Sequence, residues 1–182
     1  MKKTLLSAVM IASFGIAALA SQAARAADGT ITFTGKVVAN TCVFKVNGGG
    51  SSNTVVLPVV FTTALTTAGN VAGNTAFTIS ATGCDTNLAS VQAYFSSANV
   101  DGTTGNLKNI GTATNVQVQL LNGTTSTVMP LNAANATAQN SPVGTLSGGA
   151  TTMNYSAQYI AVGGATGAGL VNTSVAYTIN YL

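Results

Sequence analysis

Few side chains in this 182-residue sequence could do chemistry, and they are limited in type. There are two cysteines, Cys42 and Cys84, and three carboxylates, Asp28, Asp85 and Asp101, but no histidine and no glutamate. A serine or thiol nucleophile would therefore lack an imidazole base, and the aspartates do not have the spacing of a catalytic pair. We expect no enzymatic activity, no cofactor and no small-molecule substrate.

The amino-terminal residues indicate which cellular compartment the two cysteines reach. Two lysines at positions 2 and 3 precede an apolar run from Leu5 to Ala20, and the stretch ends in Ala24-Arg25-Ala26. This is the organisation of a secretory signal peptide over residues 1–26. We predict cleavage after Ala26, with cleavage after Ala20 as the alternative. A retained membrane anchor is disfavoured because the run is shorter than the roughly 20 apolar residues that a spanning helix needs.

An exported chain meets an oxidising compartment, so Cys42 and Cys84 are predicted to form one disulfide. A metal or redox pair is the alternative. The sequence contains no histidine and no Cys-x-x-Cys motif, which disfavours it.

The predicted mature chain carries almost no charge. Its charged side chains are three lysines and three aspartates, which sum to zero: Lys36, Lys45, Lys108, Asp28, Asp85 and Asp101. The lysines are isolated, whereas a nucleic-acid or anionic-lipid surface would need them clustered. We therefore expect neither partner, and we expect sheet edges prone to pairing with other chains.

Alternation of apolar and polar residues predicts short β-strands along most of the mature chain. Some eight or nine strands at regular spacing, without a long helix, indicate an antiparallel β-sandwich in one domain. A predicted strand at 31–37 precedes the nine predicted strands of the sandwich, at 42–46, 55–57, 77–81, 91–95, 107–110, 116–120, 127–131, 153–161 and 171–182.

Small and polar residues predict the connections between these strands. A bend is expected near Asn40, a loop at 47–53, and a further loop at 62–74 with one helical turn at 63–67. The Asn122-Gly123 pair predicts a tight hairpin. We interpret residues 132–149 as a surface connection.

Three motifs, taken in order behind a signal peptide, carry a resemblance. They are Ile31-x-Phe33-x-Gly35-x-Val37 followed by Cys42, then Phe77-x-Ile79-x-Ala81-x-Gly83-Cys84, and an end with Gly169 fourteenth from the terminus and Tyr181 penultimate. In these features the chain resembles pilins of the chaperone-usher type and is similar to the major subunits of type 1 fimbriae.

The resemblance implies an all-β, immunoglobulin-like sandwich that lacks its last strand. Residues 27–36 would form an amino-terminal donor strand, and residues 37–182 the incomplete pilin domain. The inward face of the donor would be Ala27, Gly29, Ile31, Phe33 and Gly35. The groove edge and chaperone contact would be Gly169, Val175, Tyr177, Ile179, Tyr181 and Leu182, with the Leu182 carboxylate held by basic chaperone residues.

The resemblance also implies the partners and the location. A periplasmic chaperone would cover the groove, an outer-membrane usher would exchange it for the donor strand of another identical or related subunit, and the product would be a fimbria on the bacterial surface. A minor or adaptor subunit and a free-standing secreted binding module are the alternatives. A tip adhesin would need a further domain, for which the predicted mature length leaves no room.

Overall fold

The computed structural model describes residues 31–35, 37 and 42–182. The chain divides into two units, Met1–Lys36 and Val37–Leu182, which are described separately. In the first unit, residues 31–35 have no regular secondary structure, although alternation predicted a strand. The side chains of Ile31 and Phe33 are 80% and 90% exposed. The predicted signal peptide, its cleavage sites and the bend near Asn40 lie outside the described residues.

The described residues of the second unit form β-strands and one short 3₁₀ helix at Thr62–Ala64, which overlaps the start of the helical turn predicted at 63–67. No helix among the described residues is long and apolar enough to cross a membrane. The strands are β1 (Val43–Val46), β2 (Val71–Thr82), β3 (Ser90–Ser96), β4 (Leu107–Lys108), β5 (Val116–Asn122), β6 (Val143–Thr145), β7 (Thr151–Ala161) and β8 (Ala176–Tyr181).

Two antiparallel sheets pack face to face, which confirms the predicted all-β sandwich. The larger sheet has the order β1-β2-β7-β5-β4, and the smaller sheet has the order β6-β3-β8. Aromatic rings join the two sheets in the core. The ring of Tyr155 on β7 stacks on Phe77 at a centroid distance of 5.3 Å and meets Phe95 of the smaller sheet edge-on at 5.2 Å.

The strand β2 begins earlier than alternation predicted, because a bulge interrupts its pattern. The pairing with β7 shifts register between Ala72 and Thr75. Gly73 lies in this gap with a φ of +69°, a conformation that favours glycine. The interpretation of 62–74 as a loop is therefore wrong from Val71 onward. A bulge among small residues interrupts the apolar–polar alternation by which a strand is recognised in the sequence.

The hairpin after β5 is present, but its loop is longer than the Asn-Gly pair suggested. The Asn122 N–H donates to the Thr127 carbonyl at 2.9 Å, so four residues close the turn. The Asn122 Oδ1 accepts the N–H groups of Thr124 and Thr125 within the loop. The returning residues reach β5 only at an isolated bridge between Leu121 and Val128, so the predicted strand at 127–131 is wrong.

Residues 132–149 are not simply a surface connection. They contain β6, and the Gln139 side chain within them is completely buried. Its side-chain amide forms hydrogen bonds with the main chain of β3. These bonds bury part of a segment whose polar composition predicted exposure.

Candidate functional site

One face of the sandwich contains an elongated apolar cleft between β8 and the chain that follows β1. The cleft has a volume of about 1010 Å³, and none of the residues lining it is charged. Its floor is the core itself, contributed by both sheets through Phe77, Ile79, Phe95, Val118, Leu120 and Ala157. These floor residues are at most 8% exposed, so the cleft is an apolar slot that lies directly above the packed core of the sandwich.

The first wall of the cleft is β8 with the extended residues before it. From Val171 to Asn180 the side chains alternate between half-buried and exposed, so that Val171, Val175, Tyr177 and Ile179 pack on the core. This alternation continues through residues 171–175, which are outside the assigned strand. The cleft therefore has a wall of strand-like chain longer than β8 alone.

The main chain of this wall is open on the cleft side. Ser90 and Leu182 exchange both of their N–H to carbonyl bonds, which fixes the alternation of the pairing between β3 and β8. It follows that Tyr177 and Ile179 direct their N–H and C=O groups away from β3. Within the described part of the chain, β8 is the last strand of its sheet and no strand pairs with that edge.

The second wall is formed by residues 51–60. Val55, Leu57 and Val60 are half-buried, whereas the intervening residues are exposed. The N–H and C=O groups of residues 55–60 make no hydrogen bond to any described residue. Unpaired main-chain groups beside an apolar surface are the features that an added strand satisfies.

A second cavity of about 510 Å³ extends the cleft and shares Leu57, Tyr159 and Val171 with it. At this end Gly169 crosses the loop at residues 111–113. A Cβ on Gly169 would lie 2.6 Å from the carbonyl carbon of Thr112, which is too close for any other residue. Gly169 thus permits a close main-chain crossing beside the cavity.

Three tyrosines, one in the core and two half-buried at the cleft, have a shifted pKa. Burial raises the pKa of Tyr155 to about 12, and burial also raises the pKa of Tyr159 and of Tyr177. These phenols therefore stay neutral at physiological pH and act as hydrogen-bond donors or acceptors only. Among the described residues no cluster of three or more cysteine or aspartate side chains could hold a metal ion.

The residues predicted from the sequence fall in different places. Cys42 and Cys84 form the predicted disulfide, which is confirmed. Val175 and Tyr177 line the first wall of the cleft, and Ile179 packs on the core further along β8. Tyr181 meets the Phe44 ring of β1 edge-on at 6.4 Å. Leu182 is exposed at the end of β8.

Three of the five predicted donor residues are among the described residues. Ile31, Phe33 and Gly35 belong to the first unit and are exposed. Ala27 and Gly29 lie outside the described residues. Their assignment as a donor face stays a prediction.

Sequence reasoning missed the second wall and the floor. Val55 and Leu57 were predicted to form a short strand, without a role in a site. Val56 between them is apolar as well, so the sequence has no alternation there that could have indicated a groove wall. The floor residues gave no separate signal, because a core position beneath an open slot has the same sequence pattern as any other core position.

Comparison with known proteins identifies the family. Residues 57–182 match the family described as type-1 fimbrial protein, A. The chain is 44% identical to the F17 fimbrial protein of Escherichia coli over 91% of this chain and 94% of that protein. It is 45% identical to the major fimbrial subunit SMF-1 of Stenotrophomonas maltophilia, over 90% of this chain and 98% of that subunit.

The fold of this chain is also similar to that of a subunit in a solved pilus structure. A chain in a solved structure of a chaperone-usher pilus superimposes with a TM-score of 0.59 at 18% identity, over 86% of this chain and 96% of that chain. The immunoglobulin-like pilin sandwich predicted from the resemblance is therefore the observed fold. These are structural proteins and not enzymes, and this chain belongs to the type-1 fimbrial protein family.

Proposed function

We propose that this protein is a structural subunit that forms the shaft of a surface fimbria by donor-strand exchange. The observation that carries the proposal is the cleft, an apolar slot directly above core side chains and between two walls whose main-chain groups are unpaired. An extended segment from another subunit would complete the sheet by β-augmentation. Each subunit would receive a strand and lend one, which gives a linear polymer.

The segment around Ile31 and Phe33 has the chemistry that the cleft requires. Only every second side chain of an added strand faces the core, and here glycine, isoleucine and phenylalanine alternate with threonine. Both large side chains are exposed in the described chain. Burying each of them in the cleft of a neighbour would contribute about 1.5 to 3 kcal/mol, before the main-chain bonds are counted.

The same cleft explains why a subunit would need help before assembly. An uncovered apolar slot with open edges aggregates readily. A periplasmic chaperone that lends a strand, and an outer-membrane usher where that strand is exchanged, would protect it until polymerisation. In this proposal residues 1–26 direct export, residues 27–36 are the donor strand, and Leu182 at the end of β8 meets the chaperone.

The alternation itself provides the test of donor-strand exchange. In cells that assemble the fimbria, Ile31→Asp or Phe33→Asp should abolish surface fibres seen by electron microscopy, because a charge would enter the apolar cleft. The subunit should still accumulate with its chaperone in the periplasm. The matched controls, Thr32→Asp and Thr34→Asp, place the same charge on the other face of the segment and should leave fibres intact.

Two results would contradict the proposal. One is normal fibre formation by Phe33→Asp. The other is an equal loss of fibres in the threonine variants, which would show that charge anywhere in the segment, and not its inward face, disturbs assembly.

A further inference from the structure

One hydrogen bond connects the two walls of the cleft. The Tyr177 hydroxyl on β8 donates to the main-chain carbonyl of Ser51 on the opposite wall at 2.7 Å. Both residues line the cleft. No other hydrogen bond recorded among the described residues joins β8 to residues 51–57.

The Tyr177 side chain points toward the core. It occupies one of the half-buried positions of β8, and its ring lies 6.4 Å from the ring of Phe95 on the cleft floor. The main chain of an added strand would lie in the plane of the sheet, above such inward side chains. The bond to Ser51 can therefore persist when the cleft is filled.

The acceptor of this bond is held in a fixed position. Ser51 follows a turn in which the Val46 N–H donates to the Gly50 carbonyl at 2.9 Å. The Asn53 side-chain amide donates back to the Val46 carbonyl at 3.0 Å, and the Asn47 Oδ1 accepts the Thr78 N–H of β2 at 2.8 Å. The carbonyl of Ser51 is thus connected to the larger sheet through this turn.

The bond fixes how far apart the two walls can be. One strand inserted between two others requires walls roughly 9.5 Å apart, which is twice the spacing between neighbouring strands. Because the bond of 2.7 Å joins a side chain of one wall to the main chain of the other, it resists both widening and closure of the cleft. An apolar slot without such a spacer would tend to narrow, because closure buries its exposed surface.

We propose that Tyr177 is a positioning residue that holds the empty cleft at the width of one strand. The inference rests on the proposed function, since it concerns how the cleft receives the strand of a second copy. A cleft held open needs no rearrangement before binding, so the bond should raise the rate of strand association and have little effect on dissociation.

The test uses the full mature chain carrying Phe33→Asp, which cannot donate its own strand. Its partner is a fluorescent peptide with the sequence of residues 27–36. Association and dissociation rates are measured by fluorescence anisotropy for this chain and for the same chain with Tyr177→Phe. The matched control is Tyr94→Phe, which removes a tyrosine hydroxyl from β3 at a position that does not line the cleft.

We expect Tyr177→Phe to slow association about fivefold, the factor that corresponds to the loss of one ordinary hydrogen bond. Dissociation of the peptide and the association rate of Tyr94→Phe should change less than twofold. Because phenylalanine keeps the ring against Phe95, the variant should fold, and circular dichroism would check this.

A distance measurement gives a second readout that does not depend on binding kinetics. Spin labels on the exposed residues Ser52 and Thr178 report the separation of the walls. In the empty chain this separation should shorten on Tyr177→Phe and return to its original value when the peptide binds.

The possible failures are distinguishable. If the parent chain does not bind the peptide, the proposed function fails. If all chains bind it at the same rate, or if Tyr177→Phe binds faster, strand exchange stands and the spacer role of Tyr177 is overturned. Unchanged label distances would overturn the spacer role in the same way.

Discussion

The Tyr155 side chain packs between the two sheets of the sandwich. Its ring contacts Phe77 and Phe95, and its hydroxyl lies 3.3 Å from the Ser141 hydroxyl and 3.6 Å from the Met153 sulfur. Burial of the phenol disfavours its ionised form, which raises its pKa from 10.0 to about 12. The folded protein therefore holds this proton more tightly than the unfolded chain does.

This difference predicts a loss of stability at alkaline pH. The contribution of Tyr155 is fully present below pH 10 and is lost as the pH rises toward 12, because only the unfolded chain ionises freely in that window. The loss should approach roughly 2 to 3 kcal/mol by the upper end of the window. The measurement is the free energy of unfolding by guanidinium between pH 9 and pH 11.5, on the Phe33→Asp chain.

Tyr155→Phe isolates this contribution. Its unfolding free energy should fall less steeply with pH than that of the parent. Identical slopes for the parent and Tyr155→Phe would show that another group causes the alkaline transition.

Among the elements, the segment before β6 shows how a side chain can continue a sheet. The pairing of β6 with β3 stops at Val143, and the preceding Pro142 has no N–H to extend it. Further along β3, the Gln139 amide accepts the Phe95 N–H at 2.9 Å and donates to the Phe95 carbonyl at 2.8 Å. The amide thus makes the pair of bonds that a neighbouring strand would make.

Removing this amide should destabilise the whole sandwich. Gln139→Leu would leave the Phe95 N–H and carbonyl unsatisfied in the core, at a cost of about 1 to 3 kcal/mol for each group. We expect the unfolding free energy to fall by about 3 kcal/mol in guanidinium titrations of the Phe33→Asp chain. The control is Asn132→Ala, an exposed amide of the same segment that bonds to Gly102, and it should change stability by less than about 0.5 kcal/mol. Equal effects of the two variants would contradict the role of Gln139.

Elements with one buried and one exposed face were the ones that the sequence predicted well. β8 and the central part of β2 alternate strictly, and the structure places strands there. β5 also alternates, yet all seven of its residues are buried. Its outward Gln117 and Gln119 are covered by Asn106 and Gln158, with which they form hydrogen bonds. Cover supplied by residues distant in sequence leaves no mark on the local pattern.

The candidate site was predictable to a similar degree. The alternation at residues 175–181 predicted the strand that became one wall, whereas residues 51–60 gained their place only through packing against the core. The connection at residues 132–149 was misread for the same reason, since the burial of Gln139 depends on β3. Composition and periodicity report only the local sequence, whereas the walls and floor of the cleft are formed by contacts between elements that are distant in the sequence.

For the molecule as a whole, the disulfide anchors one side of the cleft. Cys42 directly precedes β1, and Cys84 follows β2, with which β1 pairs. The loop closed by the bond contains residues 55–60, whose main chain makes no hydrogen bond among the described residues. This part of the wall is therefore held through its two ends and not along its own length.

Removing the bridge should affect the empty subunit more than the strand-filled polymer. Closing a loop of 42 residues contributes roughly 4 kcal/mol in the chain-entropy treatment. The double variant Cys42→Ser with Cys84→Ser should lose about that much unfolding free energy in the Phe33→Asp background and should accumulate poorly in the periplasm.

Fibres already assembled should resist reductant, because the inserted strand gives the wall the partner that it otherwise lacks. Guanidinium titrations of subunit and fibre, with and without reductant, separate the two effects. A midpoint that reductant leaves unchanged for the isolated subunit would show that the wall is held without the disulfide.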